Sequence, residues 1–142
     1  MAKAGVTNIE NAVDTSGNLP VSNYPASDYV MVGGVQLTPK FALANVAASQ
    51  TDSAVVAAVT AKKIRVLAVI ALTGATATNV TFTTKPAGSG TAISALFACG
   101  SNQGFALGFN PVGWFQTNAG EGLSVTTGAG ATTGIQCVYV EV

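Results

Sequence analysis

Six carboxylates, Glu10, Asp14, Asp28, Asp52, Glu121 and Glu141, are the only acids in the 142-residue chain. Glycoside hydrolysis needs two such groups across a cleft, one protonated and one ionised. The six are widely scattered, with no Asp-x-Asp or Glu-x-x-Glu pair, and only the fold could bring Asp52 and Glu121 together. The chain has no histidine. The commonest general base and the commonest metal ligand are therefore missing, and with them most hydrolase triads and zinc sites. Cys99 and Cys137 each sit in an apolar segment without Cys-x-x-Cys spacing, which reads as two free buried thiols in preference to a bridge or a redox pair. Gly88-Ser89-Gly90 is too short for a phosphate loop. The expectation is a protein that is not an enzyme and holds no metal or cofactor.

Binding chemistry is also sparse. Charged residues make up 8% of the chain, hydrophobic ones 49%, and the six basic residues cancel the six acids. Nucleic-acid and anionic-membrane surfaces need a surplus of positive charge, so neither partner is expected. Lys62-Lys63-Ile64-Arg65 is the one basic cluster. It could meet an acidic partner, but three charges at a strand entry more often keep a sheet edge from pairing. Phe105, Phe109, Trp114 and Phe115 form the one concentration of aromatic rings. On loops they could stack on sugars; at alternating strand positions they serve as core or interface anchors.

These groups must be positioned by β structure. From about residue 45 onward, short apolar segments alternate with Gly, Asn, Ser and Pro clusters, the pattern of an all-β sandwich or barrel. Strands are expected at Ser53–Thr60, Lys63–Leu72, Thr78–Thr84, Ala92–Ala98, Gly104–Phe109, Gly113–Thr117, Gly122–Thr126 and Ile135–Val142. Ala42–Ala48 could form a helical turn or two. The longest apolar run, Val66 to Leu72, is far short of the roughly 18 residues of a membrane span. No apolar stretch of signal-peptide length lies near Met1, which argues against secretion by that route.

Two strands lack a polar face. In 64–72, Ile64, Val66, Ala68, Ile70 and Leu72 alternate with Arg65, Leu67, Val69 and Ala71, and the C-terminal segment from Ile135 reads similarly. A half-solvated strand alternates apolar with polar, so both of these should be covered on two sides, by another subunit or by the chain's own N-terminal arm; the alternative is an edge effect or a large interior bulge. That arm is residues 1–44, preceding the 45–142 sandwich. Leu19-Pro20, Tyr24-Pro25 and Thr38-Pro39, with Gly33-Gly34 between, favour irregular extended chain. Tyr24, Tyr29 and Phe41 give it anchors for another surface. Fully extended it would reach about 140 Å.

One stretch carries a resemblance. Asn110-Pro111-Val112-Gly113-Trp114-Phe115-Gln116-Thr117-Asn118-Ala119-Gly120-Glu121-Gly122-Leu123 is similar to an Asn-Pro-x-Gly-Trp-Phe-x-Thr-x-x-Gly-Glu-x-Leu segment of small β-sandwich proteins in tailed-bacteriophage structural modules. Thr60-Ala61-Lys62-Lys63-Ile64-Arg65-Val66-Leu67 and Val138-Tyr139-Val140-Glu141-Val142 fit the same pattern, so the likeness spans residues 45–142. In the arm, Gly17-Asn18-Leu19-Pro20-Val21-Ser22-Asn23-Tyr24-Pro25 resembles a Leu-Pro-Val-x-Asn-Phe-Pro repeat of phage virion proteins. The resemblance implies a jelly-roll β-sandwich, commonly a homotrimer, that decorates and cements a capsid or sits in a tail fibre. The implied partners are the major capsid protein and further copies of itself, and the implied place is the virion's capsid surface after assembly in the host cytoplasm. The alternative is a receptor- or glycan-binding module of a tail fibre or spike. Gly113 and Gly120 are expected at turns, and Trp114 and Phe115 on opposite faces of one strand, one ring filling the sandwich and the other facing out. The interface candidates are Tyr24, Tyr29, Phe41, Arg65, Trp114 and Phe115.

Overall fold

The computed structural model describes residues 29–86 and 88–142. Among them are eleven strands: β1 (Val30–Val32), β2 (Val35–Leu37), β3 (Lys40–Val46), β4 (Ser53–Val56), β5 (Ile64–Thr73), β6 (Thr78–Thr84), β7 (Phe97–Cys99), β8 (Gly104–Leu107), β9 (Phe115–Gln116), β10 (Leu123–Thr127) and β11 (Thr133–Glu141). Two antiparallel sheets form the body, ordered β3-β11-β5-β8 and β4-β10-β6-β7, with β9 added beside β8 on β5. The partners are nested: β6 with β7, β5 with β8, β4 with β10 and β3 with β11. One long antiparallel ribbon folded over itself gives this order, which is that of a jelly roll. The all-β sandwich expected from the sequence is what the chain forms.

The core lies between the sheets. Val80 and Phe82 of β6 and Leu123 and Val125 of β10 meet Ile64, Val66, Val69, Ile135 and Cys137 of the other sheet. β6 and β10 reach the core by simple alternation, with Asn79, Thr81, Ser124 and Thr126 on the other side. β5 does not alternate strictly. Val138 of β11 stands opposite Ala68 while Tyr139 stands opposite Val66, which leaves Leu67 as the extra residue of a β-bulge. The bulge turns the pleat over, so Val69 and Ala71 join Ile64 and Val66 in the core, and Ala68, Ile70 and Leu72 move to the outside. The strict two-residue alternation read from the sequence had placed Ala68, Ile70 and Leu72 with Ile64 and Val66.

The 1–44 boundary also changes. β3 crosses it and pairs along its whole length with β11, so residues 40–46 belong to the sheet and the helical turn at Ala42–Ala48 does not form. Just before it, β1 and β2 make a hairpin in a stretch expected to be irregular. Its turn residues Gly33 and Gly34 have φ of 56° and 79°, the paired left-handed conformation of a tight two-residue hairpin loop. Val30 seats this hairpin on the outer side of the β5–β11 pair, against Leu67 and Val140. Elsewhere the expected strands are present, β6 with the expected ends and most others with ends shifted by one to four residues: Ala92–Ala98 narrows to β7 plus a bridge from Ala92 to Thr83, and Gly113–Thr117 narrows to β9.

Candidate functional site

Acid–base chemistry finds no assembled site among the described residues. Asp52 is buried, and its carboxylate accepts a hydrogen bond from the Gly90 backbone N–H at 2.8 Å, so it pins the loop after β6 to the sandwich. Glu121 instead accepts from Asn118 Nδ2 at 3.0 Å within its own turn. No cluster of three or more His, Cys, Asp or Glu occurs among the described residues. Cys99 and Cys137 are both free and buried. Burial pushes the Cys137 thiol up to about 11, so at neutral pH it is a small apolar side chain and not a nucleophile.

The surface chemistry concentrates on one sheet. β9 pairs with β5 so that Arg65 stands opposite Gln116 and Val66 opposite Phe115. Phe115 turns inward, its ring 4.9 Å from that of Phe82 and tilted by 30°. Trp114 stays outside, so of the two neighbouring rings Trp114 is the one left for a partner. Arg65 is half-buried and donates from Nε to Gln116 Oε1 at 3.0 Å. That places it as a brace beneath the loop and not as a free cation.

The loop is tightly held. Asn110 N–H donates to the Leu67 carbonyl at 2.8 Å and Trp114 N–H to the Val66 carbonyl at 2.9 Å, so both ends are fixed to β5. Asn110 Oδ1 accepts from Val112 N–H at 3.0 Å, and the indole Nε1 of Trp114 donates to the Gly108 carbonyl at 2.8 Å. Gly113 has a φ of 93°, and a Cβ there would lie 2.5 Å from Arg65 Cγ, so no other residue fits the turn without moving the brace. Gly120 likewise has a positive φ, as its turn requires. The result is a fixed loop that displays Phe109, Val112 and Trp114, exposed by 60%, 76% and 47%. Ordering three large apolar side chains in water gains nothing for the monomer, which is the usual mark of a contact surface.

The remaining candidates lie apart from the loop. Phe41 is on the outer side of β3 and separated from β5 by β11, standing opposite Val138, which in turn stands opposite Ala68. Tyr29 precedes β1 and is partly exposed. Tyr24 lies outside the described residues. Leu43, Ile70 and Leu72 are not among the interface candidates named from the sequence, yet they share the outer face with Phe41 and are each more than half exposed. Their signal was present in the doubly apolar pattern of β5, but the bulge that decides their side is not visible without the pairing. Phe97 and Phe105 stack with centroids 4.1 Å apart between the sheets, which removes Phe105 from the surface set. No family model, curated protein or solved structure matches this chain.

Proposed function

We propose that this chain is a structural protein of a virion, one that decorates a tailed-bacteriophage capsid as a homotrimer and cements it. The observation that carries a contact role is the braced loop 108–114, which holds Phe109, Val112 and Trp114 in the solvent of the isolated chain. The jelly-roll body and the low charge of the whole sequence agree with permanent contact in an assembled state. The phage setting, the trimer and the major capsid protein as partner rest on the resemblance of residues 45–142 and of the 17–25 segment. In this reading the loop anchors on the shell and the N-terminal arm reaches neighbouring capsid subunits. A protein that binds only the assembled shell raises its stability by mass action. Particles with and without the protein, heated side by side, should differ in rupture temperature, the decorated ones failing higher. Equal rupture temperatures would overturn the cementing role.

A second reading has one specific observation in its favour. A partly exposed indole with its N–H already satisfied, as Trp114 has, presents its face to a sugar ring as readily as to a protein. A receptor- or glycan-binding module of a tail fibre would then bind oligosaccharides as the isolated protein. It would lose that binding on Trp114→Ala without unfolding.

A further inference from the structure

The outer face of the β3-β11-β5-β8 sheet is covered at one end and open at the other. Under the hairpin, Leu67 and Val140 are fully buried. Two rows further along the same strands, Ile70 is 57% exposed, and on β3 Phe41 is 81% exposed. Between them runs a groove of about 390 Å³ with Ala68 and Val138 on its floor and Phe41, Leu43 and Ile70 on its walls. No charged residue lines it, and Gln136 is its only polar side chain.

The position of the hairpin says what can reach this groove. Val30 pairs with Leu37, which stands three residues before Lys40, and Lys40 pairs with Tyr139 at the start of β3. Val30 itself packs on Leu67, and Leu67 adjoins Ala68 on the floor of the groove, so the first described residues stand at the border of the open half. From Ala68 to Leu72 is four residues of β5, about 13 Å. Residues 19–28 span up to about 33 Å when extended, more than enough to cross it. Their composition also fits. No charged residue occurs between Asp14 and Asp28, while Leu19, Val21 and Tyr24 supply apolar side chains at close spacing. A segment laid across side chains finds no ladder partners for its N–H groups, and Pro20 and Pro25 have none to satisfy.

We propose that Leu19–Pro25 continue the cover begun by the β1–β2 hairpin and occupy the open groove of their own chain, with Leu19, Val21 and Tyr24 on Leu43, Ile70 and Phe41. This goes beyond the capsid reading and does not depend on it. Only the residues before Leu19 are then left to reach a neighbour. The tether makes the same-chain groove the favoured site, since a short linker presents its segment at an effective concentration of order millimolar.

The test is methyl and aromatic nuclear Overhauser contacts in the full-length protein, with labelled and unlabelled copies mixed to separate contacts within a chain from those between chains. Contacts from Tyr24, Val21 or Leu19 to the Ile70 or Leu43 methyls within one chain are expected. They should be lost in Ile70→Asp, an exposed position, while the β5–β11 contacts persist. Contacts seen only between chains would overturn the proposal in favour of a second copy as occupant. The absence of any contact from these three residues to the groove would overturn it outright. A failed particle-heating experiment would leave these contacts unchanged, so the two readings fail separately.

Discussion

The two sheets of this sandwich share one core but have opposite outer faces. On β6 and β10 the outward positions are Asn79, Thr81, Thr83, Ser124 and Thr126; Thr83 and Ser124 are themselves buried, and their hydroxyls pair at 2.8 Å. On β3, β5 and β11 most outward positions are apolar, Phe41, Leu43, Ala68, Ile70, Leu72, Val138 and Val140, with Asn45, Arg65 and Gln136 among them. The first face is furnished with hydroxyls and amides that can meet water or, where covered, pair within the protein; the second offers mostly apolar side chains. Within the apolar face the covered end shows what cover does: the hairpin takes Leu67 and Val140 from exposed sheet to full burial. The difference teaches that the five-stranded sheet carries most of this molecule's outward apolar surface, part of it covered by the β1–β2 hairpin and part left open.

The largest expected effect comes from removing the cover. Truncation through residue 38 exposes Leu67 and Val140 and should cost about 3–6 kcal/mol, at roughly 1.5–3 kcal/mol for each fully buried aliphatic side chain. Truncation through residue 28 leaves the hairpin and should cost less, because the side chains it uncovers, Phe41, Leu43 and Ile70, lie on the open half of the face and not under the hairpin. Urea unfolding of the two truncations measures the gap, and equal stabilities would erase the distinction between the two ends of the face. Single substitutions sharpen it. Leu67→Ala should destabilise by about 2–5 kcal/mol. Leu72→Ala, on the same strand but 58% exposed, should stay within about 0.5 kcal/mol.

A smaller effect follows from the interior thiol. Burial raises the Cys137 thiol from 9.0 to about 11, because the thiolate is disfavoured between the sheets. Its contribution is fully present below pH 9 and is lost as pH rises through about 11, since the unfolded thiol ionises first. Native protein at pH 8 should leave Cys137 unlabelled by a thiol reagent that reacts fully after unfolding. Replacing Cys137 by Ala should flatten the part of the alkaline loss of stability that is due to this thiol. The smallest change in stability is expected for Trp114→Ala, whose ring is outside the core. Its thermal midpoint should move by no more than a degree or two.

Much of the sandwich was legible because Thr, Val and Phe alternate cleanly in β6 and β10 and because Gly, Asn and Pro punctuate the turns. Phe115 turns in and Trp114 out as expected, although Trp114 stands just before β9 and not on it. Three features were not legible in this way. The bulge at Leu67 depends on where Val138 and Tyr139 pair, which is a long-range fact. The Gly33-Gly34 hairpin was overlooked because the surrounding prolines suggested irregular chain, although two glycines between short apolar runs are a hairpin signal. On β3, Ala42 and Ala44 face the core while the larger Phe41 and Leu43 face out, the reverse of what residue size alone suggests. The loop surface was legible only in part: Trp114 stood out as an aromatic ring. Val112 became visible only in the structure, where the Asn110 turn leaves it exposed.

The most direct test of the contact role is sedimentation of the full-length protein with capsids that lack it, comparing the natural sequence with Trp114→Ala. Saturable binding that weakens by about tenfold or more in the variant, at unchanged thermal midpoint, is the predicted result, the size expected when a central aromatic anchor is removed. Equal binding by the two proteins, or no binding by either, would contradict it.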